Sequence, residues 1–157
     1  RLVAAPFSLG QTAIGGIFLL YMVGTLASAW VGQLVDRIGR RQVLWMMAAL
    51  MLLGVLVTLP THLGAVIVGI AIFTFGFFGA HTTTSGWVSR RAGASRALAA
   101  AVYLSSYYLG SSVLGTAVGL AWDAGQWIGV VSSLSLLLIG VLAIALHLTR
   151  LPRIVNA

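Results

Sequence analysis

Residues 31–45 read VGQLVDRIGRRQVLW. Six consecutive positions, 36–41, hold Asp36, Arg37, Arg40 and Arg41, which is one of the chain's two acids and three of its nine basic residues. Apolar runs flank this patch on both sides, so it reads as a tight turn at a membrane surface between two antiparallel spans. Gly39 offers the positive φ that a sharp turn needs. A carboxylate at such an interface is costly unless paired, and Arg37, Arg40 and Arg41 are all within reach of Asp36. The expectation is a charged clasp that holds in one state and releases in another.

The composition agrees with lipid as the solvent. The 157 residues are 60% hydrophobic and 7% charged, with mean hydropathy +1.06, far from a soluble average. Without cysteine, disulfides, thiolate chemistry and Cys-based metal sites are excluded, and no cofactor is expected. A net charge of +7 in a soluble protein would suggest nucleic acid. Here the arginines lie between long apolar runs, where membrane orientation explains them, and nucleic acid is set aside. No charged n-region leads into a short apolar stretch, so no signal peptide is visible; a first residue of Arg rather than Met suggests a fragment or a trimmed chain.

Crossing about 30 Å of hydrocarbon takes about 20 helical residues. Five stretches qualify, roughly 10–33, 42–60, 63–88, 97–121 and 127–149, with short breaks at Asp36 to Arg41, Pro60 to His62, Ser89 to Arg96 and Trp122 to Gln126. The expected fold is therefore all-α, a single polytopic membrane domain of five transmembrane helices in the lipid bilayer. Arg37, Arg40, Arg41, Arg90, Arg91, Arg96, Arg150 and Arg153 fall on one side of such a bundle and only Arg1 on the other. That bias makes the arginine side cytoplasmic, with the N-terminus outside and the C-terminus inside. Trp30, Trp45 and Trp87 at inner ends, and Trp122 and Trp127 at outer ends, fit an interfacial belt. Small-residue ladders at Gly24, Ser28, Gly32; Gly76, Ala80, Thr84; and Ser111, Gly115, Gly119 mark expected packing seams. Spans two and five, nearly all apolar, are expected to be the peripheral, lipid-facing pair.

The pattern Gly32-x-Leu34-x-Asp36-Arg37-x-Gly39-Arg40-Arg41-x-x-Leu44 resembles the signature loop of the major facilitator superfamily, found between the second and third helices of each six-helix half. FTFGFFGAH (73–81) and YLSSYYLGSSVLG (103–115) resemble the C-terminal half of bacterial permeases of the arabinose-efflux type. The resemblance implies that the five spans are helices eight to twelve of a twelve-helix transporter whose N-terminal half is a missing partner. It also implies a small-molecule solute, bound between the halves and moved by alternating access. In the family the Asp36 loop latches the inner side against the opposite half.

Polar groups inside a bilayer are functional candidates. No acid lies within a span core, so a carboxylate proton relay from these helices is unsupported. His81 is the histidine well inside a span, at a depth similar to Tyr103; it reads either as a titrating group coupled to movement or as a neutral hydrogen-bonded bridge between helices. Tyr103, Tyr107 and Ser111 form one stripe and Tyr108, Ser112 and Thr116 a second. Hydroxyls in a wet cavity would suit a neutral sugar-like or a drug-like solute; hydroxyls between helices would be glue, and both readings stand. An intramembrane serine protease using Ser95 is disfavoured because that serine lies among Arg90, Arg91 and Arg96. His62, His81 and His147 fall at different depths without carboxylates, which argues against a metal hydrolase. No enzyme is expected; a non-transporting five-helix scaffold is the remaining alternative.

Overall fold

A computed structural model describes residues 1–151; Arg153, counted above with the inner arginines, lies outside them. Helix α1 (Gln11–Ile17) passes through a 3-10 turn, Phe18–Leu20, into α2 (Tyr21–Ile38). Then come α3 (Arg40–Val57), α4 (Leu63–Arg91), a 3-10 turn at Gly93–Ser95, and α5 (Arg96–Arg150). Helices are what lipid requires of these sequences, because only intrahelical bonding satisfies every backbone N–H and C=O away from water.

Among the described residues four helical segments are long and apolar enough to cross a membrane, so the expected count of five is not confirmed. The expected spans 97–121 and 127–149 join in one helical run, and the five-residue break expected between them shrinks to Gly125 (φ −146°, ψ 16°) and Gln126 (φ 50°, ψ −141°). The run is not straight. It leaves α4 at Arg96; further along, the Trp127 indole donates to the Thr58 carbonyl at one end of α3, 3.1 Å away. Arg41, at the opposite end of α3, donates to the Leu151 carbonyl. Residues 127–151 thus lie antiparallel along α3, where Val131 and Leu138 pack on Val55 with Leu52 and Leu134.

The core lies around α3. Val43, Met47, Ala48, Gly54 and Val55 are buried there, and Val31, Val43 and Met47 form a cluster against which Leu34, Val35, Leu50, Phe75 and Ala80 pack. Span two is therefore central within the chain, correcting the lipid-facing expectation. An apolar helix can be surrounded by other helices as readily as by lipid, and composition does not separate the two. The outlying segment is instead the first arm of α5: every buried residue of that helix comes after the break.

Glycine brings α3 and α4 together. A Cβ at Gly54 would lie 2.5 Å from the Phe73 nitrogen, at Gly69 2.7 Å from the Gly54 carbonyl oxygen, and at Gly76 2.8 Å from the Met47 oxygen. Gly24 of the first expected ladder packs on the Phe78 ring, and Ser28 accepts a 3.1 Å hydrogen bond from Thr82. The ladder Ser111, Gly115, Gly119 makes no seam among the described residues: all three are exposed, with nothing within 4 Å of a Cβ at Gly115 or Gly119.

The charged patch does not form a loop. Helix α2 continues through Asp36 and Arg37 to Ile38, held by Leu34 and Val35 on the Val31 cluster, and the only residue between α2 and α3 is Gly39. Its φ of 88° and ψ of 151° belong to a region open almost exclusively to glycine. Its N–H bonds the Val35 carbonyl at 2.9 Å, and its own carbonyl accepts from the Val43 N–H at 3.2 Å. One residue thus closes one helix and opens the next.

At the other end of α3, Arg1 takes a role the sequence did not suggest. Its guanidinium donates to the carbonyls of Thr58, Leu59 at 3.2 Å and Pro60 at 2.8 Å, and lies 4.8 Å from the centre of the Trp127 ring. A cation there satisfies carbonyls left without helical donors and complements the negative end of the helix. Burial lowers its pKa from the ordinary value, but arginine starts high enough to remain charged.

Two substitutions test this architecture by thermal unfolding in detergent. Gly39→Ala is expected to cost about 1–3 kcal/mol because alanine cannot hold this backbone. Gly54→Ala, which drives a methyl into the α4 backbone, is expected to cost a similar ~1–3 kcal/mol, while Gly115→Ala leaves the transition of this chain unchanged.

Candidate functional site

The residues singled out from sequence separate into two places. The first lies where α4 meets the opening turns of α5. His81 and Tyr103 share a 2.9 Å hydrogen bond between the His81 Nδ1 and the Tyr103 hydroxyl. The Tyr107 ring lies 5.3 Å from the imidazole and Phe77 stacks on it at 6.2 Å, with Phe77 and Tyr107 themselves 6.3 Å apart. Tyr108 contacts Tyr107 edge-on at 5.2 Å. The antiparallel course of the two helices sets this up: position 81 faces 103 and position 77 faces 107.

His81, Tyr103 and Tyr107 are half-buried, and Tyr108 is 66% exposed. Ser111, one turn further along, is exposed and outside the aromatic group. The tyrosine edge of α5 therefore continues away from α4 as an open polar stripe. Thr116 turns its hydroxyl back onto the Ser112 carbonyl at 3.0 Å, the usual way a hydroxyl satisfies itself on a helix. Thr83 does the same to Gly79 at 2.8 Å, and Ser85 to Thr82 at 3.2 Å. The arrangement brings an imidazole, three phenols and aromatic faces together at one contact between helices.

The second place is the arginine end of the bundle. Asp36 is exposed, in the last turn of α2, and among the described residues it makes no ion pair. The clasp expected between Asp36 and its neighbouring arginines is thus not closed within this chain. Helical geometry is the reason: Asp36 and Arg37 project from α2, whereas Arg40 and Arg41 belong to the first turn of α3 beyond the Gly39 reversal. Arg40 and Arg41 instead line a cleft of about 590 Å³ shared with Arg90 and Arg91 of α4 and Thr149 of α5. Gly32 and Leu34 lie a turn or more inside α2, with Leu34 against the core.

Sequence reasoning missed both Arg1 and this cleft. Arg1 had a signal, being the sole arginine outside the basic side, yet nothing in its spacing names the carbonyls of residues 58–60 as partners. Among the described residues, no group of three or more His, Asp or Glu side chains is placed to hold a metal ion.

This bundle of apolar helices, with polar groups gathered at one internal contact and arginines at one end, defines an integral membrane protein. Comparison with known proteins takes the description further. The chain is 41% identical over 149 residues to the "Uncharacterized MFS-type transporter YybF" of Bacillus subtilis (strain 168), covering 95% of this chain and 37% of that protein. It is 38% identical over 143 residues to an "Uncharacterized transporter" of Buchnera aphidicola subsp. Baizongia pistaciae, covering 90% and 36%. It is also 37% identical over 150 residues to the "Inner membrane transport protein YnfM" of Escherichia coli (strain K12), covering 96% and 36%. Over most of its length the chain is thus similar to proteins named as MFS-type and other transporters, and it spans little more than a third of the length of the curated relatives it matches. These relatives are named as transporters rather than enzymes. No family model matches the chain, and no solved structure matches it.

Tyr103→Phe is the direct test of the α4–α5 contact. Losing one interhelical hydrogen bond within the membrane is expected to cost about 0.6 kcal/mol, read as a small drop in thermal stability. His81→Ala, which also removes the ring contacts to Phe77 and Tyr107, is expected to cost more.

Proposed function

We propose that this chain forms most of one six-helix half of a major facilitator transporter, the part corresponding to helices eight to twelve, and that the complete protein moves a small solute across the bacterial inner membrane by alternating access. On this reading α5 crosses twice, once on each side of Gly125 and Gln126, giving five passes. The antiparallel placement of residues 127–151 on α3 supports that count. The arginine end faces the cytoplasm, in keeping with the positive-inside bias. The names of the relatives support transport as the activity, and the YnfM name supports the inner membrane.

The observation that carries the reading is the first arm of α5. It has no buried residue, yet it bears Tyr103, Tyr107, Tyr108, Ser111, Ser112 and Thr116. A polar stripe left open to hydrocarbon would be costly, so this face meets a wet cavity or the other half of the transporter. His81, Tyr103 and Tyr107 then form one wall of the solute site, and Tyr108 and Ser111 extend it. The chemistry fits a neutral, hydrogen-bonding solute, sugar-like or drug-like, with aromatic faces as apolar walls. If protons drive the cycle, the titrating acid comes from the rest of the transporter, because the two acids of this chain lie near helix ends.

The Asp36 segment, Gly32, Leu34, Asp36, Arg37, Gly39, Arg40 and Arg41, supplies the inner gate. Its carboxylate makes no ion pair among the described residues and is exposed, as a latch toward a second half would require.

Transport into membrane vesicles tests both assignments in the intact protein. Asp36→Asn is expected to abolish transport while membrane abundance stays near that of the unsubstituted protein; full transport by this variant would remove the latch. Tyr107→Phe is expected to shift the KM for the transported solute with little change in abundance. A loss of folded protein with unchanged KM would make Tyr107 a packing residue instead.

A further inference from the structure

The arginine-end cleft shares Gly39, Arg40 and Arg41 with the proposed gate segment but adds Trp87, Arg90 and Arg91, which the transport reading does not use. Arg40 from the first turn of α3 and Arg90 and Arg91 from the last turn of α4 converge on it, with Gln42 and Thr149 adding hydrogen-bonding groups and Trp87 an aromatic wall. No acidic side chain lines it. Arg41 is engaged with the Leu151 carbonyl and forms part of the wall. Like charges gathered at the ends of two helices repel unless an anion lies among them. The α3 terminus adds to this field, having no acidic residue in its first turn and no side-chain cap.

We propose that this cleft binds the phosphodiester headgroup of an anionic phospholipid from the leaflet that meets the arginine end. The occupant's chemistry follows from where the cleft lies. It opens at the ends of membrane-length helices, and its rim includes Ile38 and Leu151, apolar side chains 40% and 42% exposed. A phosphate among the arginines would leave its acyl chains running along those apolar surfaces, which a soluble phosphate could not use. Trp87 belongs at the same boundary, with the Arg91 guanidinium 5.8 Å from its ring centre. Basic pockets between membrane helices recognise lipid headgroups by this combination of charge and depth. The site requires only that the chain be embedded in lipid, so it stands or falls separately from the solute and the direction of transport.

The test uses the full chain, delipidated in detergent and titrated with phosphatidylglycerol, with phosphatidylcholine of the same acyl chains, and with inorganic phosphate, the bound species being counted by native mass spectrometry. One phosphatidylglycerol is expected to bind in preference to phosphatidylcholine, with inorganic phosphate failing to displace it. Arg40→Gln and Arg91→Gln are each expected to weaken phosphatidylglycerol roughly fivefold and to leave phosphatidylcholine unchanged. Salt gives an independent reading without substitution: raising it to molar levels should release phosphatidylglycerol selectively. Equal binding of the two lipids, insensitivity to salt, or unchanged affinity in folded variants would each overturn the proposal. Inorganic phosphate binding as tightly as the lipid would make this a soluble-anion site and overturn it as well.

Discussion

The close approach of α3 and α4 is the constraint on which the remaining packing depends. In lipid, apolar surface gains nothing by leaving its solvent, so helices associate through tight van der Waals contact. Gly54, Gly69 and Gly76 place backbone against backbone at distances no Cβ would permit. With that seam in place, Met47 reaches Gly79 and Val31, which brings α2 onto the pair. Val55 and Leu52 are presented to the returning arm of α5 by the same helix. Gly39 and Arg1 then secure the two ends of α3, one by a backbone conformation and the other by charge.

The polar residues follow a different logic from the core. Inside the packed helices Thr83 bonds back to its own helix and Thr82 bonds across to Ser28, while the buried Ser135 hydroxyl has no hydrogen-bond partner among the described residues. Where the first arm of α5 leaves the bundle, the side chains point into open space. His81 and Tyr103 lie at the boundary between these regimes, bonded to each other yet still half exposed. That position suits groups which hold two helices together and also touch whatever occupies the space beyond.

Much of this was legible in the residues. Helix type and the approximate extents of the first three spans followed from apolar run length, and the positive φ of Gly39 from its place in a charged turn. The similar depth of His81 and Tyr103 followed from counting residues along the spans, whereas the hydrogen bond between them is seen only in the structure. Three things did not follow. The shortness of the break in α5 was hidden because Trp122 to Gln126 resembles a loop in composition, while only Gly125 and Gln126 leave helical geometry. The central position of α3 was hidden because lipid and neighbouring helices ask for the same side chains. The open state of Asp36 was hidden because nearness in sequence is not nearness in space: Gly39 sends the two sets of charges onto different helices.

A joint of one residue has mechanical consequences. Gly39 provides no slack between α2 and α3, and hydrogen bonds on both sides of it bind the two rods into an elbow. A tilt of α2 is therefore delivered to the first turn of α3 rather than absorbed by an intervening strap. The guanidinium of Arg40 sits on that turn, so leverage applied to the far end of α2 swings a positive charge at the arginine end of the bundle.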